Sequence, residues 1–527
     1  MKITSLFAAA LLMGTALSQG IPNAVVIPPA VSSAAAAFAP APSTPAAASK
    51  VQFPITTANS RGASAVNPRL IATIVYDKLT NVITSIPVSI PIPKLPIGFK
   101  ERRSQPLSSS SESAGGLVER VLPGARWNYD STSVKVRGVS LGGWLVVENF
   151  ITPGVYASTG NANIVDEWTF GSLQPRDQAV SILQKHLNTF VSEDDVRQIA
   201  AAGLNHVRIP IGYWAFEVGP DEPFLKLNQW DLLKQAALLC GKYGLKVLVD
   251  LHAAPGNQNG YDHGGRRGVN AWAGNATNVE RTINILQTIS REFSQPQYAN
   301  SVSSIELLNE PNTDQNVVLD FYARAYEVVR YPNGRDQPAS PLEVVISDMF
   351  ISPAFSDYWN NKALPPQYQG VAIDTHVYTI FDEASINLSA TDRINYYCSL
   401  KPKWAAANKY HPQLIGEWTP AFTDCAQGLN GRNVGSRCDG SFKGGSTGTS
   451  RDCYGRSGDA SSFTNNYKRL LGSMWEAQVD ANEGGVGWMM WTWKTQAGAA
   501  EEWSYQKGLQ YGWIPRDPTR RPNGIRC

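Results

Sequence analysis

After its first residues, the 527-residue chain has no run of the roughly 18 unbroken apolar residues that a membrane-spanning helix needs. It has no apolar C-terminal tail, which argues against a lipid anchor exchanged for such a tail. It has no Cys-x-x-Cys and no His-x-x-x-His pair, so two common metal-ligand spacings are missing. Neither a metal nor an organic cofactor is expected. It has no excess of one charge. Its 46 basic and 44 acidic residues leave a formal net charge of +2, which gives no reason to expect nucleic acid or an anionic membrane as partner. It also has no nucleotide-binding glycine turn, because Gly138-Val139-Ser140-Leu141-Gly142-Gly143 has the wrong spacing. That argues against a doubly wound open sheet.

What is present suits one large core plus extensions. Hydrophobic residues make up 43% of the chain, and there are 15 Trp and 20 Tyr. Flat rings suit sugar faces, though large cores use them as well. Lys2, the apolar run Leu6 to Leu12 and the small residues of Ala16-Leu17-Ser18 read as a secretory signal over residues 1–18. A secreted product, extracellular or in a cell wall, is expected. Residues 19–125 form a low-complexity extension. Pro28 to Ala48 is nearly all Ala, Pro and Ser, and Ser108 to Ser113 is a serine tract broken by Glu112. Such stretches bury too little surface to offset ordering entropy. Leu70 to Ile86 is an apolar patch that suits a local strand pair. The dibasic end of Lys100-Glu101-Arg102-Arg103 fits either a pro-segment processing site or an ordinary solvated cluster.

From about Val134 the pattern becomes regular, and a catalytic domain is expected over residues 126–527. Strand-like runs lie at Val136–Leu141, His206–Pro210, Lys246–Leu251, Ile305–Asn309, Glu343–Ser347, Val371–His376, Gln413–Glu417 and Gly487–Thr492. Amphipathic stretches such as Asp194–Ala202, Trp230–Tyr243, Val279–Phe293, Val317–Val329 and Tyr467–Ala481 lie between them. Alternation of strand and helix implies parallel pairing with right-handed crossovers. Eight units predict an α/β fold, the (β/α)8 TIM barrel.

The strand tips carry the chemistry. Leu307-Leu308-Asn309-Glu310-Pro311 and Ile415-Gly416-Glu417-Trp418 are apolar runs that lead into a glutamate, and Arg208, His252, His376, Tyr378 and Trp491 fall at other tips. Polar groups are costly within strands, so their recurrence at one end of several strands marks a site. Two carboxylates on one rim are what glycoside hydrolysis needs: one protonates the leaving oxygen and the other attacks the sugar. The acid needs surroundings that raise its pKa. The nucleophile needs donors, for which Arg208 and Tyr378 are suitable. Asn309 could bond the sugar's 2-OH.

Asn309-Glu310-Pro311 with Gly416-Glu417-Trp418 resembles glycoside hydrolase family 5. Longer strings narrow the resemblance to its fungal exo-β-1,3-glucanases. They are Arg137–Trp144, Gly203–Gly212, Asp250–Gly256, Thr423-Asp424-Cys425, Trp491–Thr495 and Arg521–Cys527. The resemblance runs from about Trp127 to the C-terminus. It implies a retaining glucan 1,3-beta-glucosidase that releases glucose from non-reducing ends, with Glu310 as acid/base and Glu417 as nucleophile. It implies a glucose subsite of Glu148, Arg208, His252, Asn309, His376, Tyr378 and Trp491, with Tyr261 and Phe381 clamping the glucan at the mouth. The implied partner is a β-glucan polysaccharide or oligosaccharide, and a monomer is expected. The chain departs from the family's usual pattern at Asn149, Ala253, Tyr261-Asp262-His263 and Arg516 to Arg521, around the entrance loops that select the linkage. A β-1,6-glucanase, another β-glucosidase of the same fold and a silent glucan-binding wall protein are the alternatives. Loss of either glutamate would favour the last, and both are present.

Six cysteines in an oxidising compartment suggest disulfides. Cys240 lies in an apolar helix-like run and reads as a buried thiol. The other five lie in loop-like sequence, which leaves one odd. The resemblance implies Cys398–Cys527 and Cys425–Cys453, with Cys438 as the odd thiol or a competitor of Cys453. Asn275-Ala276-Thr277 and Asn387-Leu388-Ser389 are glycosylation sequons in loop-like sequence.

Overall fold

The computed structural model describes residues 124–129, 134–443 and 452–527. The expected signal peptide, the Leu70–Ile86 patch and the dibasic pair lie outside the described residues. Eight parallel strands close into one barrel in sequence order. They are β1 (Val136–Ser140), β2 (His206–Gly212), β3 (Lys246–Ala253), β4 (Val302–Glu306), β5 (Glu343–Ser347), β6 (Val371–Val377), β7 (Gln413–Trp418) and β8 (Gly487–Met490). β2 is buried along its whole length, as expected where helices cover the outer face and side chains fill the barrel.

The helices are α1 (Pro153–Ala157), α2 (Glu167–Leu173), α3 (Arg176–Thr189), α4 (Glu193–Ala201), α5 (Gln229–Lys242), α6 (Ala276–Phe293), α7 (Gln315–Arg330), α8 (Glu383–Ile386), α9 (Ala390–Ala407), α10 (Asn465–Asn482) and α11 (Tyr505–Tyr511). Their form follows from the sequence. In α6, Val279, Ile283, Leu286, Ile289 and Phe293 recur at three- and four-residue spacing and are buried. α4 opens with a capping box in which Ser192 and Asp195 satisfy each other's backbone N–H. Asp195 also accepts from Trp493 Nε1 at 3.0 Å and Lys494 Nζ at 2.7 Å. That ties the segment after β8 to the helix that leads into β2. At the opposite end of the barrel, Arg126 donates to the carbonyls of Phe293, Tyr298 and Val302, and Tyr129 OH lies 2.7 Å from Ser304 Oγ.

Three expectations need correction. β4 was expected over Ile305–Asn309 but runs from Val302 to Glu306. Leu307 and Asn309 keep only single backbone bonds, to Val345 and Leu251, because the chain is already turning toward Glu310, whose φ is +45°. No helix joins β5 to β6 among the described residues. Finally, Cys398 lies within α9 and not in a loop. Pro402 inside that helix hides it from a reading that takes proline as a breaker.

The disulfides are Cys398–Cys527 and Cys425–Cys453, while Cys240 and Cys438 are buried outside any disulfide. Burial pushes the Cys240 thiol up to about 12. The Cys398–Cys527 bridge spans 129 residues, and its end is fixed further by Cys527 N donating to Asp480 at 2.8 Å. A loop of that length is worth about 4–5 kcal/mol in the chain-entropy model. Calorimetry of Cys527→Ser is therefore expected to show a clear fall in Tm. The arrangement of the strand tips should be unchanged, since neither cysteine is near them.

Candidate active site

The site is organised around Arg208, which lies on β2 and is fully buried. Its guanidinium reaches four neighbouring elements. Nε donates to Glu306 at 2.9 Å, Nη1 to Glu417 at 2.6 Å, and Nη2 to Asn309 Oδ1 at 2.8 Å. Nη2 also lies 3.1 Å from Asp250 Oδ2. Asp374 is 4.0 Å away on β6. The partners lie on or just after β3, β4, β6 and β7, so one side chain ties four strands together beneath their tips.

Two of these carboxylates hold histidines. His252 Nδ1 lies 2.7 Å from Asp250, and His376 Nε2 lies 3.4 Å from Asp374. In each pair the Asp precedes the His by two residues. That spacing puts both side chains on the same face of a strand. The Asp-x-His repeat at the ends of β3 and β6 was a readable signal that pointed to Asp250 and Asp374, neither of which was singled out. Glu306 was missed as well, because it sits in the β4 ladder beneath the tip.

Glu417 is paired with His376 in the β6–β7 register. That register shifts between Asp374 and His376. Asp374 faces Leu414 and His376 faces Glu417, so β7 carries one extra residue. Gly416 lies in this bulge and donates its N–H to Asp374 Oδ1 at 2.6 Å. A Cβ at 416 would collide with the Asp374 carboxylate, which accounts for the glycine in Ile415-Gly416-Glu417.

The two glutamates meet over this web. Glu417 Oε1 takes Arg208, and Oε2 accepts from Tyr378 OH at 2.8 Å. Glu310 Oε1 lies 2.6 Å from His376 Nδ1. One oxygen of each glutamate and a nitrogen of His376 all lie within 4.8 Å of one another. Glu310 follows the end of β4 in the left-handed region. That conformation costs on the order of 1–3 kcal/mol and persists where surroundings over-determine it. Here Asn259 Nδ2 donates to its carbonyl at 3.2 Å.

The charge balance differs from the expectation for an acid. Burial works to raise Glu310, but His376, through its charge and its hydrogen bond, is the largest opposing influence, and the carboxyl is held down at about 2. Burial is the largest influence on Glu417 and lifts it, against His376 and Arg208. Burial also opposes a charged His376, yet Glu417, Asp374 and Glu310 hold that imidazole well above its usual range. The proton of the His376–Glu310 contact therefore resides on the imidazole. Burial and then Asp262, Glu417 and Glu310 raise Glu148 well above the usual carboxylate range.

Above this floor lies a cavity of about 180 Å³. Glu148, His252, Glu310, His376, Tyr378 and Glu417 line it, with the rings of Trp491, Tyr261 and Phe381. Arg208 and Asn309 do not reach the cavity wall. Arg208 lies beneath, with its guanidinium 5.9 Å from the centre of the Trp491 ring. Asn309 leaves Nδ2 buried without a hydrogen-bond partner. His263, Arg437, Phe442 and Trp503 also line the cavity and were not singled out as site residues. Arg437 belongs to a loop held by buried Asp424, which accepts from Ser436 Oγ and the N–H groups of Arg437 and Cys438 at 2.7–3.0 Å. A larger depression of about 1220 Å³ on the barrel flank has no carboxylate in its lining, so the two-carboxylate chemistry belongs to the smaller cavity.

Replacing Arg208 by Met should cost about 3–5 kcal/mol, because it leaves buried carboxylates without their cation. Urea unfolding measures this. A change below about 1 kcal/mol would mean that protons, not the guanidinium, neutralise the cluster.

A family model described as cellulase (glycosyl hydrolase family 5) matches residues 176–427. The glucan 1,3-beta-glucosidase of Pichia angusta is 36% identical over 447 residues, covering 82% of this chain and 98% of the relative. A probable glucan 1,3-beta-glucosidase A of Aspergillus niger is 39% identical over 424 residues, covering 80% of this chain and 97% of the relative. Among solved structures, rutinosidase from Aspergillus niger superposes with a TM-score of 0.54 at 21% identity, covering 73% of this chain and 99% of that one. That likeness shows the fold alone. On the strength of the curated relatives, which match along most of its length, the chain belongs to glycosyl hydrolase family 5.

Proposed function

We propose that the protein is an extracellular, retaining glucan 1,3-beta-glucosidase that releases glucose from the non-reducing ends of β-1,3-glucan. The observation that carries this reading is the Glu310–Glu417 pair, with oxygens within 4.8 Å, at the floor of a small cavity. Retaining enzymes hold their carboxyls about 5–5.5 Å apart, whereas inverting enzymes leave about 6.5–9.5 Å for a water. The relatives named glucan 1,3-beta-glucosidase supply the substrate class. A cavity of about 180 Å³ suits one terminal sugar better than the middle of a chain.

In this mechanism Glu417 attacks the anomeric carbon. Its two oxygens keep separate donors, Arg208 and Tyr378, so the carboxylate is aimed before substrate arrives. Glu310 gives a proton to the glycosidic oxygen as that bond breaks. Oε1 is taken by His376 Nδ1 at 2.6 Å, so the proton that Glu310 delivers is carried on Oε2, taken up as substrate excludes water and burial favours the neutral carboxyl. Water then attacks the glycosyl ester, returns its proton to Glu310 and releases Glu417. Glu148, protonated by its surroundings, can donate to a sugar hydroxyl. Trp491, His252, Tyr261 and Phe381 offer faces and edges to the ring.

Two disulfides support an oxidising, extracellular setting. Asn275 is exposed in its sequon. No helix of the described residues is long and apolar enough to cross a membrane.

The test is the product's configuration. Early NMR of glucose released from laminarin should show the β-anomer, and a burst of α-glucose would mean inversion. Glu417→Gln should abolish turnover, since an amide cannot serve as the attacking carboxylate. Glu310→Gln should lose glucan hydrolysis yet keep the first step on nitrophenyl β-glucoside, whose leaving group needs little acid help.

A further inference from the structure

The two oxygens of Glu310 have different surroundings. Oε1 is occupied by His376 at 2.6 Å. Oε2 lies 3.5 Å from His263 Nε2, longer than a normal N–H···O bond. An acid whose first oxygen is taken meets the departing group with its second. His263 therefore stands beside the place where the glycosidic bond breaks, on the leaving-group side.

The surrounding rings agree with that position. His263 lies between His252, with ring centres 5.0 Å apart, and Tyr261, with centres 5.4 Å apart. His252 stacks on Trp491 on the inner side, at 5.6 Å and 10°. The imidazole thus spans from the inner wall toward the Tyr261 side of the cavity. Its Nε2, the ring nitrogen beside Oε2, makes no hydrogen bond at that 3.5 Å separation and is the atom that a departing sugar would meet. Burial and neighbouring His252 lower its pKa. A neutral ring offers one donor and one acceptor.

The backbone that carries the ring is also held firmly. Asn257 donates to the carbonyls of Tyr261 and Arg266 at 2.8 and 3.0 Å, and accepts from the N–H groups of Asn259 and Gly260. Asn259 joins this loop to the carbonyl of Glu310. Imidazole and acid are therefore parts of one braced unit.

We infer that His263 determines specificity for the leaving unit: its imidazole hydrogen-bonds a hydroxyl of the departing sugar and selects sugar leaving groups over apolar alcohols. The inference rests on Glu310 acting as the acid. A sugar hydroxyl can satisfy a ring nitrogen that an alkyl group leaves unmatched, and a site built around such a bond discriminates against ligands that lack it.

The experiment compares laminaribiose (glucose β-1,3-linked to glucose) with cyclohexyl β-glucoside. Both need acid assistance, and only the first leaves with hydroxyls. In His263→Ala, the ratio of their kcat/KM values should fall about 3- to 10-fold, the worth of one neutral hydrogen bond. His263→Asn, which keeps a donor and an acceptor, should recover part of that ratio. An unchanged Tm in both variants serves as the control for folding. Equal losses on both substrates in both variants would overturn the inference and make His263 a support for Glu310. An unchanged ratio without loss would overturn it as well. Wild-type protein that releases glucose from cyclohexyl β-glucoside but not from laminaribiose would instead overturn the β-1,3 reading, and this inference with it.

Discussion

A single guanidinium in the barrel interior sets the terms for everything above it. Arg208 is withdrawn from water among Asp250, Glu306, Asp374 and Glu417. Each buried ion carries a desolvation penalty of several kcal/mol unless well matched. One cation cannot match four anions. The excess is relieved by the charged His376 beside Asp374 and by a raised Glu306, where burial leads and Asp250 and Asp374 add to it. The tips of β2, β3, β4, β6 and β7 are therefore coupled electrically as well as by their ladders. Preorganisation of this kind is what electrostatic catalysis requires, because groups already aimed need not reorganise during reaction.

The same coupling explains why the acid does not look like one at rest. Glu310 is low because His376 is charged, and His376 is charged because Glu417 and Asp374 face it. Titration here belongs to the cluster and not to one residue. A ligand that displaces water and covers Glu417 changes the balance for the whole set.

Much of the barrel was legible because strands buried on both faces read as short apolar runs with polar ends. β5 matched its expected span, Glu343–Ser347, at both ends. The motifs ending in Glu310 and Glu417 stood out for the same reason. The end of β4 was misplaced because Leu307 and Leu308 remain apolar after the ladder has stopped. α9 was hidden by Pro402 and by its weak amphipathic pattern. The cavity wall was the least legible part. Arg437, Phe442 and Trp503 reach it from irregular segments, whose sequence has no period to read. The Asp424 bonds that shape one of those segments depend on backbone groups that composition does not reveal. His263 was noticed only as a departure from a pattern. Its place beside Oε2 depends on a turn built by Asn257 and Asn259.

The extra residue in β7 bears on how this site could arise or be lost. Side chains alternate between the two faces of a strand, so a one-residue insertion exchanges the faces for everything after it. Upstream of the bulge, Leu414 faces Asp374; downstream, Glu417 faces His376. The orientation of Glu417 is thus set by the parity of the strand as well as by the presence of a glutamate. A homologous stretch with the same letters but one residue fewer before Glu417 would keep the motif and turn the carboxylate toward the helices. Sequence alignments of such strands should therefore be judged by their gaps as closely as by their matches.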